Sequence, residues 1–365
     1  MKKLFTVMVS ALLPFTLLGC GDQSAESAAS EDGTYEVAMI TDCGNIDDRS
    51  FNQTTWEGVK AYGEESGKSH AYYRPDENSS NSREEYMRKA IENGAKIVVC
   101  PGYLFEDSVY KLQEEYPDID FLLIDGKPHA QGSEDYKITD NTHCIVAREE
   151  QAGFFAGYGV VKEGFKNLGF CGGMAVPAVV RFGSGFIQGA DYAAKELGLD
   201  DVTMKYFYSG VFWPTDDLYA NMNAWYTDGV ECVFTCGAGQ FSSVTKAAEA
   251  NGGVVVGVDV NQAHESETMI TSAMKNSAVI AHDALKAWGD NNDAWPEDMA
   301  GKQSNLGVGE NAVCLPTDDE SWRFENFTVE EYNELVQKMI DGEITVNSET
   351  NDHPAVDHVS IEYLS

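Results

Sequence analysis

From Tyr35 onward the chain alternates short apolar, β-branched runs with longer amphipathic stretches, and this alternation constrains the fold more than any other feature. Strands separated by helices pair in parallel, with each helix crossing over a face of the sheet. The strand candidates are residues 36–41, 70–74, 96–100, 120–124, 144–147, 167–171, 204–208, 232–236, 254–258 and 269–273. Helical candidates lie at 51–65, 82–93, 149–162, 186–197, 216–228, 242–250 and 276–288, and an acidic tail after residue 318 carries one more amphipathic segment, 329–340. The pattern occurs twice, before and after about Arg148, so the expected fold is α/β, with two doubly wound lobes and a ligand cleft between them.

In such sheets solutes bind just beyond the carboxyl ends of the strands. The residues at those positions are Thr41-Asp42, Pro101-Gly102-Tyr103, Asp125-Gly126, Gly172-Gly173, Gly237-Ala238-Gly239 and Asp259. Glycine there lets backbone approach a ligand, and a carboxylate accepts hydrogen bonds from hydroxyls. Any single glycine is equally well explained by a tight strand-to-helix turn. Three carboxylates at three strand ends are the stronger signal.

The N-terminus opens with Met1-Lys2-Lys3 and an apolar stretch from Leu4 to Leu18, too short to span a membrane as a mature helix. It ends in Leu17-Leu18-Gly19-Cys20, which resembles a bacterial lipobox. Residues 1–19 are therefore expected to be a lipoprotein signal peptide, with Cys20 lipidated and residues 20–33 a flexible acidic tether. Two or three acyl chains on that cysteine suffice for stable anchoring, which places the protein on the extracytoplasmic face of the cell membrane. No later segment approaches 18 uninterrupted apolar residues.

The formal net charge of −35 disfavours nucleic acid and phosphorylated ligands at long range, and no cluster of Lys or Arg reverses it locally. Besides Cys20 there are seven cysteines, mostly at the ends of apolar runs, which reads as buried free thiols and not a disulfide framework. Cys232 and Cys236 lack a second pair at zinc spacing, so neither a metal nor a cofactor is expected. The seven histidines are scattered, with no nucleophile at a strand-turn-helix elbow, and an enzyme is not expected.

The segment Thr41-Asp42-Cys43-Gly44-Asn45-Ile46-Asp47-Asp48-Arg49-Ser50-Phe51-Asn52-Gln53, followed by Trp56-Glu57-Gly58, resembles the signature of the basic membrane protein family of solute-binding lipoproteins. The resemblance continues through Phe121 to Gly126, Glu150 to Tyr158, Val180-Arg181-Phe182, Gly257 to Gln262 and Thr271 to Lys275, and so covers nearly the whole mature chain. It implies a type I periplasmic-binding-protein fold working with an ABC permease and ATPase. The implied lobes are residues 34–147 plus about 274–315, and 148–273 plus about 316–365.

The best understood branch of that family consists of purine nucleoside receptors, and the resemblance carries its ligand roles over position by position. Phe51 falls at the first base-stacking position and Phe212 at the second, with Trp213 an open alternative because Val211-Phe212-Trp213-Pro214 departs from the family's usual run. Asp125 falls at the base-pairing aspartate with Asp42 beside it, Asn52 follows the first ring, Asp259 and Lys275 fall at the ribose pair, and Gly237 borders the cleft. The expected ligand is adenosine, guanosine or inosine; the alternative is a same-fold receptor for a sugar, a pyrimidine or modified nucleoside, or a signalling molecule. Physical reasons stand beside these roles: rings stack on a flat base, and a carboxylate accepts from paired hydroxyls. The same residues have plainer readings. Phe51 also suits a core anchor, Arg181 an ion-pair former on the lobe surface, and Asp47 and Asp48 charges that favour a helix N-terminus.

Overall fold

The computed structural model describes residues 34–42, 44–133 and 135–364. The lipobox with Cys20, the signal peptide, the tether and Cys43 lie outside the described residues.

The first half runs β1 (Val37–Ile40), α1 (Phe51–Ser66), β2 (His70–Tyr73), α2 (Ser80–Glu92), β3 (Ile97–Pro101), α3 (Glu106–Glu115), β4 (Asp120–Ile124) and β5 (Thr142–Ala147). The second runs α4 (Glu149–Glu163), β6 (Asn167–Gly172), α5 (Pro177–Leu197), β7 (Val202–Tyr208), α6 (Asp216–Thr227), β8 (Cys232–Cys236), α7 (Phe241–Asn251), β9 (Val254–Asp259) and β10 (Met269–Lys275). Then follow α8 (Ser277–Asp290), β11 (Lys302–Leu306), β12 (Val313–Cys314), α9 (Val329–Ile340) and β13 (Val359–Tyr363).

Two sheets result, in the orders β11-β5-β4-β3-β1-β2 and β12-β10-β9-β8-β6-β7-β13. All pairings are parallel except β10 with β12. The central strands β1, β3 and β8 are buried along their whole length, as continuous apolar runs covered by helices on both faces must be. This is the two-lobed, doubly wound α/β architecture expected from the alternation.

Five elements differ from the sequence reading. Helix α5 starts at Pro177, not Phe186, because Gly183 and Gly185 weaken the helical signal before Phe186 while serving close packing. A Cβ at Gly185 would sit 2.0 Å from the carbonyl oxygen of Glu150, and one at Gly157 would sit 2.1 Å from that of Phe186, so α4 and α5 touch backbone to backbone. Helix α3 and the late strands β11, β12 and β13, which complete the five, have no counterpart among the sequence candidates. β11 has the polar sequence Lys-Gln-Ser-Asn-Leu, which carries no strand signal of its own.

Among the described residues the chain passes between the lobes at Arg148, at Asn276 and between β11 and β12. β10 runs through Lys275 and β12 rejoins the second sheet at Val313, slightly offset from the boundaries at 274 and 315 drawn from the sequence. The crossovers are strapped together: Arg148 N–H donates to Leu306 O (2.8 Å), Asn276 N–H to Ala312 O (2.8 Å), and Val308 N–H to Gln151 Oε1 (2.8 Å). The acidic tail packs on the second lobe, where Tyr332 of α9 meets Phe155 of α4 edge to face at 5.2 Å and β13 extends the sheet beside β7.

Candidate functional site

In each sheet the strand order reverses once, between β1 and β3 and between β6 and β8, and the carboxyl edge at such a reversal is where doubly wound sheets bind ligands. At the first reversal stand Asp42 and Gly102. Asp42 Oδ1 accepts from Gly44 N–H (2.7 Å) and from Asn52 Nδ2 (2.8 Å), and Asp42 N–H donates to Asn52 Oδ1 (3.2 Å). Asn52 is buried and also donates to Asp48 Oδ2 (3.0 Å), so it braces the loop. Asp48 in turn accepts the backbone N–H groups of Ser50, Asn52 and Gln53, which would otherwise be orphans at the start of α1. Phe51 opens α1 at this edge; a Cβ on Gly102 would lie 3.5 Å from its ring and 3.8 Å from Asp42 Oδ2.

At the second reversal a ring is seated by two glycines. A Cβ on Gly173 would come within 2.3 Å of the Phe212 ring and one on Gly237 within 3.0 Å, so neither position tolerates a side chain without moving the phenyl group. Gln240 fixes this edge by donating to Cys171 O (2.9 Å) and accepting from Ser209 Oγ (3.0 Å). Phe212 packs against the main core, whereas Trp213 next to it is 60% exposed. The structure thus brings Phe212 together with Gly237, and leaves Trp213 pointing outward.

Between the two reversals lies a buried charge cluster. Lys275, at the end of β10, donates to Asp125 Oδ2 (2.5 Å) and Glu149 Oε1 (3.4 Å), and its ammonium is 4.0 Å from Asp259 Oδ1. It also rests 4.2 Å above the centre of the Phe51 ring, a cation–π contact. Arg181 donates from Nε to Glu149 Oε2 (2.6 Å), so it forms an ion pair, though in the interior beside the Lys275 cluster and not on the lobe surface where the sequence reading put it. Burial works against the charge on Lys275, but Asp125, Glu149 and Asp259 outweigh it and raise the pKa of the ammonium. Burial likewise opposes ionisation of Asp125, yet Lys275 and Arg181 together hold its carboxyl below the usual range. Both groups therefore carry their charges at neutral pH.

Asp125 and Asp259 both take left-handed backbone angles, φ 59° and 63°, which non-glycine residues adopt rarely and which concentrate at functional sites. Across the cleft, Ser50 Oγ donates to Asp259 Oδ2 (2.5 Å), and Arg49 reaches Glu265 (2.6 Å). A cavity of about 770 Å³ adjoins, with Asp47, Gln53, Asp259, Asn261 and Lys275 among its lining.

The sequence singled out Asp42, Phe51, Asn52, Asp125, Asp259 and Lys275 at the cleft, and these do converge, but it did not single out Glu149 or Glu265 as partners. Glu149 stood in the sequence only as the first residue of the helical candidate 149–162; its signal was Arg181, a cation that had to be paired once buried. The six described cysteines are free, and five are buried in the strands. No helix among the described residues is long and apolar enough to cross a membrane.

Comparison with known proteins agrees with this fold. A family model described as ABC transporter substrate-binding protein PnrA-like matches residues 35–350. The ABC transporter nucleoside-binding protein BmpA of Lactococcus lactis is 24% identical over 310 residues, covering 77% of this chain and 83% of that protein. Basic membrane protein B of Borreliella burgdorferi is 26% identical over 349 residues, covering 90% and 92%. Among solved structures, an ABC transporter solute-binding protein from Aeropyrum pernix K1 superposes with a TM-score of 0.71 at 23% identity, over 87% of this chain and 94% of that one. With two doubly wound lobes, a cleft lined at both strand reversals and a family match over most of its length, the chain belongs to the Bmp family of PnrA-like ABC transporter substrate-binding proteins.

Proposed function

We propose that this substrate-binding protein is a lipid-anchored receptor that captures purine nucleosides for an ABC importer. The observation that carries the proposal is the pairing of one aromatic ring with each strand reversal, Phe51 at Asp42 and Gly102 and Phe212 at Gly173 and Gly237, with the Lys275 cluster between the reversals. A flat base held by rings from both lobes gains about 1–3 kcal/mol per stacked ring. Lys275 lies over the Phe51 ring, so the cation that donates to the sugar sits next to the ring that stacks on the base.

Asp259 accepts from the ribose hydroxyls, each charge-assisted bond contributing roughly 1.5–3 kcal/mol. Lys275 donates to a sugar oxygen, and Asp42 and Asp125 supply the polar edge for the base. Carboxylates outnumber cations here, with Asp125, Glu149 and Asp259 against Lys275 and Arg181, so a phosphate is repelled and nucleotides are poor ligands. Cys20 anchors the receptor beside its permease and ATPase.

A thermal-shift screen of the purified protein against adenosine, guanosine, inosine, cytidine, uridine, ribose and AMP tests this. Purine nucleosides should raise the melting temperature most, and AMP should not match adenosine. If no nucleoside shifts it, the ligand assignment fails; if ribose alone does, the ring-stacking role fails.

A further inference from the structure

Two consecutive residues, Arg49 and Ser50, reach from the first lobe to the second. Both precede α1, in a segment braced by Asp48 and by the bond from Arg49 N–H to Gln53 Oε1 (3.2 Å). Arg49 has φ 54°, a conformation that costs a non-glycine residue free energy and that turns its side chain and that of Ser50 to different partners. Inward, the buried Ser50 hydroxyl donates to Asp259 Oδ2. Outward, the Arg49 guanidinium, 64% exposed, pairs with Glu265, whose side chain is only 9% exposed and whose other oxygen faces His264 Nε2 at 3.1 Å. Asp259 ends β9 and Glu265 lies in the short 3-10 turn between β9 and β10, so both partners belong to the second lobe.

We infer that Arg49 and Ser50 form a latch across the cleft: Arg49 holds Glu265 and thereby sets how long a captured solute is retained, while Ser50 is a positioning residue that fixes the Asp259 carboxylate only when the lobes are shut. Neither bond can survive lobe separation, because each joins the start of α1 to the β9–β10 edge of the other sheet. Closure and the correct presentation of Asp259 are therefore the same event. The function of the latch in solute retention rests on the nucleoside proposal, but its mechanical part does not.

The test uses the full chain, with Arg49→Glu, Glu265→Arg and the double exchange, read by small-angle X-ray scattering without solute and by the release rate of adenosine. Arg49→Glu should enlarge the radius of gyration and speed adenosine release by about 3- to 10-fold with little change in the association rate, as expected for losing one partly buried ion pair. The double exchange should restore both. Ser50→Ala should weaken adenosine binding without enlarging the single-variant scattering change, since the ion pair remains. Unchanged scattering and release in Arg49→Glu, or no rescue in the double exchange, overturns the latch. If adenosine binds neither the parent nor the variants, the ligand assignment is what fails, and the scattering comparison still decides the latch.

Discussion

Asp125 and Asp259 occupy equivalent places in the two lobes, at the ends of β4 and β9, and each is held with a left-handed backbone. Their chemistry has diverged. Asp125 is buried and bonded to Lys275 at 2.5 Å, whereas Asp259 stands 4.0 Å from the same ammonium and takes its short bond from Ser50. The first lobe thus uses its carboxylate to hold a cation in place, and the second leaves its carboxylate at the cleft. Equivalent backbone positions thus give one acid paired directly with the buried ammonium and one paired with a hydroxyl from the other lobe.

The largest effect expected from this division is at the shared cation. Lys275→Met leaves Asp125 and Glu149 buried without their ammonium and should cost about 3–5 kcal/mol in urea unfolding. A loss below about 1 kcal/mol would show that the cluster is solvated and that the two edges do not differ as described.

Asp259→Ala should separate binding from stability. Adenosine affinity measured by calorimetry should fall roughly 30- to 150-fold, from about 2–3 kcal/mol of lost charge-assisted bonding, while the urea midpoint changes little. Asp125→Ala should do the reverse in emphasis, lowering the urea midpoint first. If the two variants exchange these behaviours, the roles assigned to the two lobes exchange with them.

A smaller effect sharpens the cost of the interior cluster. Glu150, beside Glu149, is buried, and its Oε2 has no hydrogen-bond partner among the described residues. Burial first, and Glu149 second, push its carboxyl up to about 7. Because the folded value lies above the unfolded one, the folded state retains a proton that the unfolded chain releases. That contribution is present below about pH 4.5 and is lost as the pH rises through about 7. Glu150→Gln should flatten the fall in stability between pH 5 and 8 by on the order of 2 kcal/mol, measured by unfolding at both pH values. An unchanged slope would assign the pH dependence elsewhere.

Most of the fold was legible because parallel strands buried on both faces must be continuous apolar runs, as in Phe121 to Ile124 and Val233 to Phe234. β11 was not, since its place in the sheet comes from pairing with β5 and not from its own side chains. At the cleft, the strand-end aspartates could be found by position alone. Which of them would face inward could not, because that depends on Lys275 arriving from β10 and Glu149 from α4, contacts 150 and 126 residues apart in sequence. Glu265 was hidden for the same reason: its partner, Arg49, belongs to the other lobe.

The backbone contact of α4 with α5 has a mechanical consequence. α4 begins directly after the crossover at Arg148, and glycines on both helices remove the side-chain layer that normally lets two helices slide. The pair acts as one beam, so torque applied at the crossover turns the second lobe as a block without being absorbed in bending. An alanine at Gly157 or Gly185 would drive a methyl group into the facing backbone and pry the two helices apart, breaking the beam even though no residue near the cleft had changed.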